Sequence, residues 1–270
     1  MTVSEDNSDR PDEDLYLQSV MDHAQLQNRL PNKAVVSLAR EVLNRLAQDL
    51  KEQEKVPEDV EQLARALYAQ DAMKAAEQIK RHLQNGVSAK TLYRPYLARA
   101  AQKLGELWET DEVTFAELTV GIGRIYAIMR TLRDKIKPTG GAESRSAVFA
   151  TVPGDDHTLG IRMAAELARK DGWDVALKVD LSHDELVDEI TQSGKLLVGI
   201  SAGGEHSLPD LARLVLALRI NLPEALILVS GHAADVANES ISLLHVDAIA
   251  HEYDEAMATL DDLWASLQSA

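Results

Sequence analysis

The segment Pro153-Gly-Asp-Asp-His-Thr-Leu-Gly160 places an imidazole two residues after one carboxylate and directly after another. A carboxylate at that spacing can accept one ring N–H, fix the tautomer and make the other ring nitrogen a better ligand. Asp155 and His157 are therefore candidates for holding a metal or a metal-bearing cofactor, with His157 as the ligand. The same residues also fit ordinary turn chemistry: a glycine bend, a helix N-cap from Asp156 or Thr158 and a solvent-facing histidine. Two later segments, Ser201-Ala-Gly-Gly-Glu-His206 and Ser230-Gly-His232, are rich in small residues that let a large ligand approach the backbone. Each is equally a turn by composition.

The elements that must position these loops follow from periodicity. After residue 146, short apolar runs alternate with helical patterns: Ala147 to Val152, Trp173 to Val179, Lys195 to Ser201, Ala225 to Ser230 and Val246 to Ala250, with helices starting near Thr158, Asp184, Leu208, Ala233 and Asp254. Five such repeats predict an α/β fold with a parallel doubly wound sheet, and ligands in that fold sit at the carboxyl ends of the strands. All three small-residue or acidic loops fall there. A phosphoacceptor receiver would need an Asp after the third strand and a Lys after the fifth, where this chain has Ser201 and Ala250. A flavodoxin-type phosphate cradle would be repelled by the two acids of the first loop.

Upstream, residues 57–137 read as four antiparallel helices (57–69, 71–85, 88–109 and 113–137) with Asp71 and Ser88 as N-caps, and Pro95 predicts a kink in the third. Residues 138–146 have linker composition. A helix is expected over 32–56. Residues 1–31 are expected to be a disordered tail, since Met1 to Asp14 hold six acids and one Arg. The bundle's Leu104-Gly-Glu-Leu-Trp108, followed by Asp111 to Glu117, stands out for its Trp, which also suits a plain core position.

The 270 residues carry 28 basic and 44 acidic groups, a formal charge of −16, which disfavours direct binding to the phosphate backbone of nucleic acid. The basic run Arg124, Arg130, Arg133, Lys135 and Lys137 is expected to be a solvated helix face. Cysteine is absent, so disulfides, thiolate metal sites and a cysteine nucleophile are excluded. His206, His232, His245 and His251 match no zinc spacing and are expected in loops. With no membrane span or signal peptide legible, a cytoplasmic location is expected.

Asp155, His157 and Gly160 form an Asp-x-His-x-x-Gly signature, and with the helical cap before it the chain resembles the cobalamin-binding region of methionine synthase and its relatives. Gly203 stands where the family's Ser-x-Leu has leucine, and Ser230-Gly231 stands for its double glycine. The resemblance implies a helical bundle capping a flavodoxin-like domain, with His157 as the lower axial cobalt ligand, Asp155 holding it and Thr158 and Gly160 beside it. It further implies that the cofactor's benzimidazole tail enters a slot lined by Ser201, Gly203 and Gly231, with Gly204 and Ser230 as further cofactor-binding positions, and that Trp108 and Glu117 border the upper face. Adenosylcobalamin and hydroxocobalamin are the implied forms. Phe115 to Arg124 is most similar to the anti-repressor regulators of photosynthesis genes of the AerR and PpaA type, which act through a repressor-type transcription factor. That branch implies a non-enzymatic, light- or redox-responsive regulator with little or no DNA binding of its own. A corrinoid methyl carrier and a heme sensor of the related branch share the same signature and remain open.

Overall fold

The computed structural model describes residues 13–48, 59–133, 135 and 145–269. The chain divides into two compact units, one formed by residues up to 25 with 39–136 and the other by 26–38 with 137–270. Of the linker expected over 138–146, residues 138–144 lie outside the described residues, as do 1–12 and 49–58, and Ser146 is already the first residue of a strand.

The sheet unit has five parallel strands: β1 Ser146–Thr151, β2 Asp174–Lys178, β3 Leu197–Ser201, β4 Leu226–Ser230 and β5 Ala248–Ile249. Their order is β2-β1-β3-β4-β5, the flavodoxin-like arrangement. The continuous apolar runs of β1 and β3 have the physical cause expected for parallel strands covered on both faces: every residue of β1 is buried, and so are Leu197 to Ile200 of β3. The polarity of the chain reverses its winding between β1 and β3, so a crevice opens at their carboxyl ends. Pairing of Thr151 with Ser201 and of Ser201 with Ser230 brings the three strand ends level, and the three loops singled out by sequence therefore begin side by side.

Two helices of this unit matter for the site. The first, Leu159–Lys170, follows β1; the second, Tyr253–Ser269, follows β5 and buries Leu260 against the sheet beside Phe149, Ile161 and Leu228.

The helical unit contains Val60–Tyr68, Met73–Gln84, Leu97–Glu109 and Phe115–Arg133. Leu63, Leu67, Ile79, Leu97, Leu104, Leu118 and Ile122 form its core and are essentially inaccessible. The kink expected at Pro95 is a π-helical turn, Leu92–Tyr96, between Ala89–Thr91 and Leu97–Glu109. A proline has no N–H for the regular ladder, and the wider turn absorbs the missing bond. Gly121 permits close helix packing, because a Cβ there would lie 2.6 Å from Leu104 Cδ2.

Two expectations are corrected. Residues 13–29 are not a disordered tail: Glu13–Arg29 is a helix, with Tyr16, Ser19, His23 and Leu26 buried at helical spacing. Arg124 is not on a solvated face either. It is buried and donates to the carbonyls of Ala66, Leu67 and Ala69 at 3.1, 3.1 and 2.7 Å, closing the C-terminal end of Val60–Tyr68. A second polar cluster in this unit centres on Asp59, which accepts from Tyr96 Oη at 2.7 Å and lies 2.9 Å from His82 Nε2.

Among the described residues no helix is long and apolar enough to cross a membrane.

Candidate functional site

The loop after β1 turns at once. Gly154 takes the left-handed conformation (φ +81°), and Asp155 N–H donates to Val152 O at 3.1 Å, which folds the Asp155 side chain back over the sheet end. The carboxylate is nearly inaccessible, at 2% side-chain exposure. Its Oδ1 accepts the backbone N–H of His157 at 3.1 Å and lies 3.3 Å from His157 Nδ1. Oδ2 accepts the Gly203 N–H and the Ser207 hydroxyl, the latter at 3.1 Å.

Burial alone would push this carboxyl up. The donors of His157, Gly203 and Ser207 outweigh it and hold Asp155 below its ordinary value, so it stays a carboxylate. A carboxylate only accepts, so the proton of a neutral His157 ring is drawn to Nδ1 and the lone pair is left on Nε2. The ring itself stands in solvent, 79% exposed, and no hydrogen bond to Nε2 is found among the described residues. The result is an imidazole with its tautomer set from beneath by a buried charge and its other nitrogen open. That arrangement can ligate a metal. Of the turn-chemistry reading, the glycine bend, the solvent-facing histidine and Thr158 at the N-cap position hold, but the Thr158 side chain makes no cap bond and instead accepts from Arg162 Nε at 3.2 Å.

Gly203 explains itself in this geometry. A Cβ there would lie 2.6 Å from both carboxylate oxygens of Asp155. At the position where the resemblance calls for leucine, glycine leaves room for the Asp155 carboxylate as it is placed in this chain. Gly231 has a separate reason: its φ is +91°, and a Cβ would lie 2.6 Å from Ala202 O and 3.0 Å from Ser201 Oγ. Gly204 is less constrained, with His206 Nδ1 at 3.2 Å from the same construction.

Next to this loop a cavity of about 310 Å³ opens between the sheet and the helices Leu159–Lys170 and Tyr253–Ser269. Of the expected cofactor-binding residues, Gly160, Ser201, Ser230 and Gly231 line it. Gly203 and Gly204 are not among the lining residues: Gly203 donates its N–H to Asp155, and Gly204 leads into the turn Glu205–Ser207. Most of the wall is carbon, from Phe149, Ile161, Met163, Leu167, Leu228 and Met257. Sequence reasoning missed these, as it missed Ser207. Leu159, Met163 and Leu167 are 72%, 57% and 41% exposed at successive helical turns, a run of uncovered apolar side chains that starts two residues after His157.

Trp108 and Glu117 belong to the helical unit. Trp108 is half-buried, so it does not simply fill the core. Glu117 accepts the Thr114 N–H at 2.8 Å and the Thr114 hydroxyl at 2.7 Å, while Thr114 Oγ1 accepts the Glu117 N–H at 3.3 Å. This reciprocal cap starts Phe115–Arg133 and holds the Glu117 carboxyl below its ordinary value. Among the histidines set aside above, His206, His232 and His251 form no three-ligand metal group among the described residues.

Residues 145–261 match the B12 binding domain, and residues 59–133 match a second B12 binding domain model that corresponds to the helical unit. The chain belongs to the B12-binding proteins. Within this family, 84 residues are 29% identical to an uncharacterized 20.5 kDa protein of the bchF-crtJ intergenic region of Rhodobacter capsulatus; they cover 30% of this chain and 44% of that relative. A cobalamin-binding protein from Desulfitobacterium hafniense is similar at 19% identity over 76% of this chain and 98% of its own, with a TM-score of 0.40. The monomethylamine corrinoid protein of Methanosarcina barkeri is similar at 21% identity over 74% and 96%, with a TM-score of 0.39.

Proposed function

We propose that this B12-binding protein is a cobalamin-dependent, light- or redox-responsive regulator that acts through a protein partner of the repressor type. The cofactor part of this reading is carried by one observation: the open Nε2 of His157, with its tautomer set by a buried Asp155 that is itself held by Gly203 and Ser207. The residues fit the group. An imidazole with an open Nε2 stands beside a cavity whose wall is mostly carbon, with Ser201, Ser230 and Gly231 at its strand-end side. His157 would hold the cobalt from below, and the cavity would take the nucleotide tail. A heme has no such tail and would leave the cavity unused, which favours a corrinoid. When bound, an alkylated corrinoid supplies a light-labile cobalt–carbon bond and a redox-active metal.

Support for the regulatory part comes from the relative in Rhodobacter capsulatus, from the similarity of Phe115 to Arg124 to the photosynthesis-gene regulators, and from the charge of −16. A chain that repels phosphate reaches a promoter through a protein rather than directly. A signal at the cofactor shifts the population of a state with different partner affinity. Trp108 and the helices Glu13–Arg29 and Asn32–Gln48 are the elements proposed to report it.

The test is to load the purified chain with adenosylcobalamin and with hydroxocobalamin in the dark, desalt it, record the absorption spectrum and illuminate it. Retained corrin bands that change on illumination, together with a light-dependent change in affinity for the repressor, are expected. A corrinoid that is methylated by a partner methyltransferase and ignores light would make the chain a methyl carrier instead. Loss of the corrin on desalting, with a Soret band kept in a heme-loaded sample, would overturn the cofactor assignment.

A further inference from the structure

Between the helices Glu13–Arg29 and Asn32–Gln48 the chain turns at Leu30-Pro31, and residues 26–38 around this elbow belong to the sheet unit. Leu26, Leu30, Val35 and Leu38 are buried. Arg29 makes the polar attachment: Nη1 donates to Ser240 Oγ at 3.1 Å and Nη2 to Glu239 Oε2 at 3.0 Å. Glu239 is exposed, so the ion pair alone contributes little. Ser240 is buried, and Arg29 is the partner its hydroxyl has among the described residues, so losing this bond is the costlier event.

Ser240 lies at the far end of a segment that starts at the cavity. Gly231 lines the cavity, and the chain runs on from it through two five-residue helices, His232–Val236 and Asn238–Ser242. Helices this short do not hold themselves, and their position depends on contacts at either end. At the near end the Ala233 N–H donates to Ala202 O at 3.0 Å. Asp235 Oδ1 lies 2.9 Å from Nδ1 of His251, and Asn238 Nδ2 lies 3.5 Å from Nε2 of the same ring. His251 is itself part of the cavity wall. Segment 231–242 is thus tied to the cavity through Gly231 and His251, and to the elbow through Arg29.

We infer that Arg29 couples the elbow to the cofactor cavity. A filled cavity fixes Gly231 and His251, these fix segment 231–242, and the elbow docks on Ser240 and Glu239. An empty cavity loosens the same chain of contacts and lets the elbow open. This rests on the corrinoid reading above and names the route by which occupancy reaches the N-terminal helices. Coupling between two sites is reciprocal, so a change at Arg29, which is not among the lining residues, alters cofactor affinity.

Hydrogen exchange of the full chain, read by mass spectrometry over residues 26–38, measures the opening, since the Leu30, Ala34 and Val35 amides are hydrogen-bonded within the elbow. Loading with hydroxocobalamin should slow exchange there about tenfold, within the usual range of coupling between sites. Cobinamide, which has no nucleotide tail to enter the cavity, should leave it unchanged. Arg29→Glu sets a like charge against Glu239; it should speed exchange in the empty chain and weaken hydroxocobalamin binding about threefold in absorption titration. Adding Glu239→Arg should restore both. Unchanged or faster exchange on loading, equal protection by cobinamide, or an affinity that Arg29→Glu leaves untouched would overturn the inference. The comparison of empty and loaded wild-type chain needs no variant, so it stands even where Arg29→Glu folds poorly. Failure of the wild-type chain to bind hydroxocobalamin would remove the corrinoid reading and this inference with it, an outcome distinct from binding without a change in the elbow.

Discussion

Asp59 in the helical unit and Asp155 in the sheet unit are both largely buried carboxylates that grip a histidine, and their networks end differently. Asp59 accepts from Tyr96 Oη at 2.7 Å and contacts His82 Nε2 at 2.9 Å; Tyr96 Oη in turn accepts from Gln78 at 2.7 Å. The His82 side chain is only 14% exposed and packs edge-on against Tyr96 at 5.2 Å between ring centres. Every member bonds another member, and the network ties Val60–Tyr68 to Met73–Gln84 and to the π-helical turn. Asp155 instead collects its donors from Gly203, Ser207 and the His157 backbone and passes the charge to a ring that is 79% exposed. One carboxylate–imidazole pair closes on itself and stabilises. The other opens to solvent and is poised to act.

Substitutions at the two aspartates should therefore separate binding from stability. Asp155→Ala should weaken cobalamin binding by about 10- to 100-fold, the range for removing the partner that orients a metal-ligating histidine, as read by absorption titration. Gly203→Ala should come close to it, because the new Cβ displaces the same carboxylate. The double variant should cost less than the sum of the two singles, which a double-mutant cycle in cobalamin affinity would measure. Asp59→Asn should leave cobalamin affinity unchanged and cost the fold about 1–3 kcal/mol in denaturant unfolding, as expected for donors left unpaired in a buried network.

The smallest effect is shared. Both carboxyls are held below the ordinary value of 3.8, by the Tyr96 and His82 bonds at Asp59 and by the His157, Gly203 and Ser207 bonds at Asp155, each against the opposing push of burial. A depressed folded value means that the stabilisation is complete above the unfolded value and is lost as the pH falls through the folded one. Acid unfolding below about pH 4 should be shifted to higher pH by either substitution, and only Asp155→Ala should also change cofactor retention across that window.

Much of the sheet unit could be read from the chain. The strands and the loop positions follow from short apolar runs, and for β1 and β3 the continuous run and the burial on both faces are the same fact. Asp155 and His157 were visible because they are two residues apart. Ser207 was not, since it acts across a distance in sequence that no local pattern encodes: it reaches Asp155 52 positions away. Gly203 looked like a departure from a motif until the carboxylate above it was seen. Glu13–Arg29 escaped notice because two of its four buried positions, Ser19 and His23, are polar and the acids around Met1 to Asp14 dominate the composition. Arg124 misled for a related reason. A charge at helical spacing looks like surface unless the carbonyls that receive it are known.

The account stands most directly on Nε2 of His157 being an axial ligand. The measurement is the electron paramagnetic resonance spectrum of the cobalt(II) form of cobalamin bound to the chain, with histidine carrying either natural or heavy nitrogen. A superhyperfine pattern that changes from triplets to doublets on labelling is the predicted result, since the nucleus coupled to cobalt would then belong to the protein. Triplets that persist after labelling would mean that the cofactor's own base still holds the cobalt, and would contradict it.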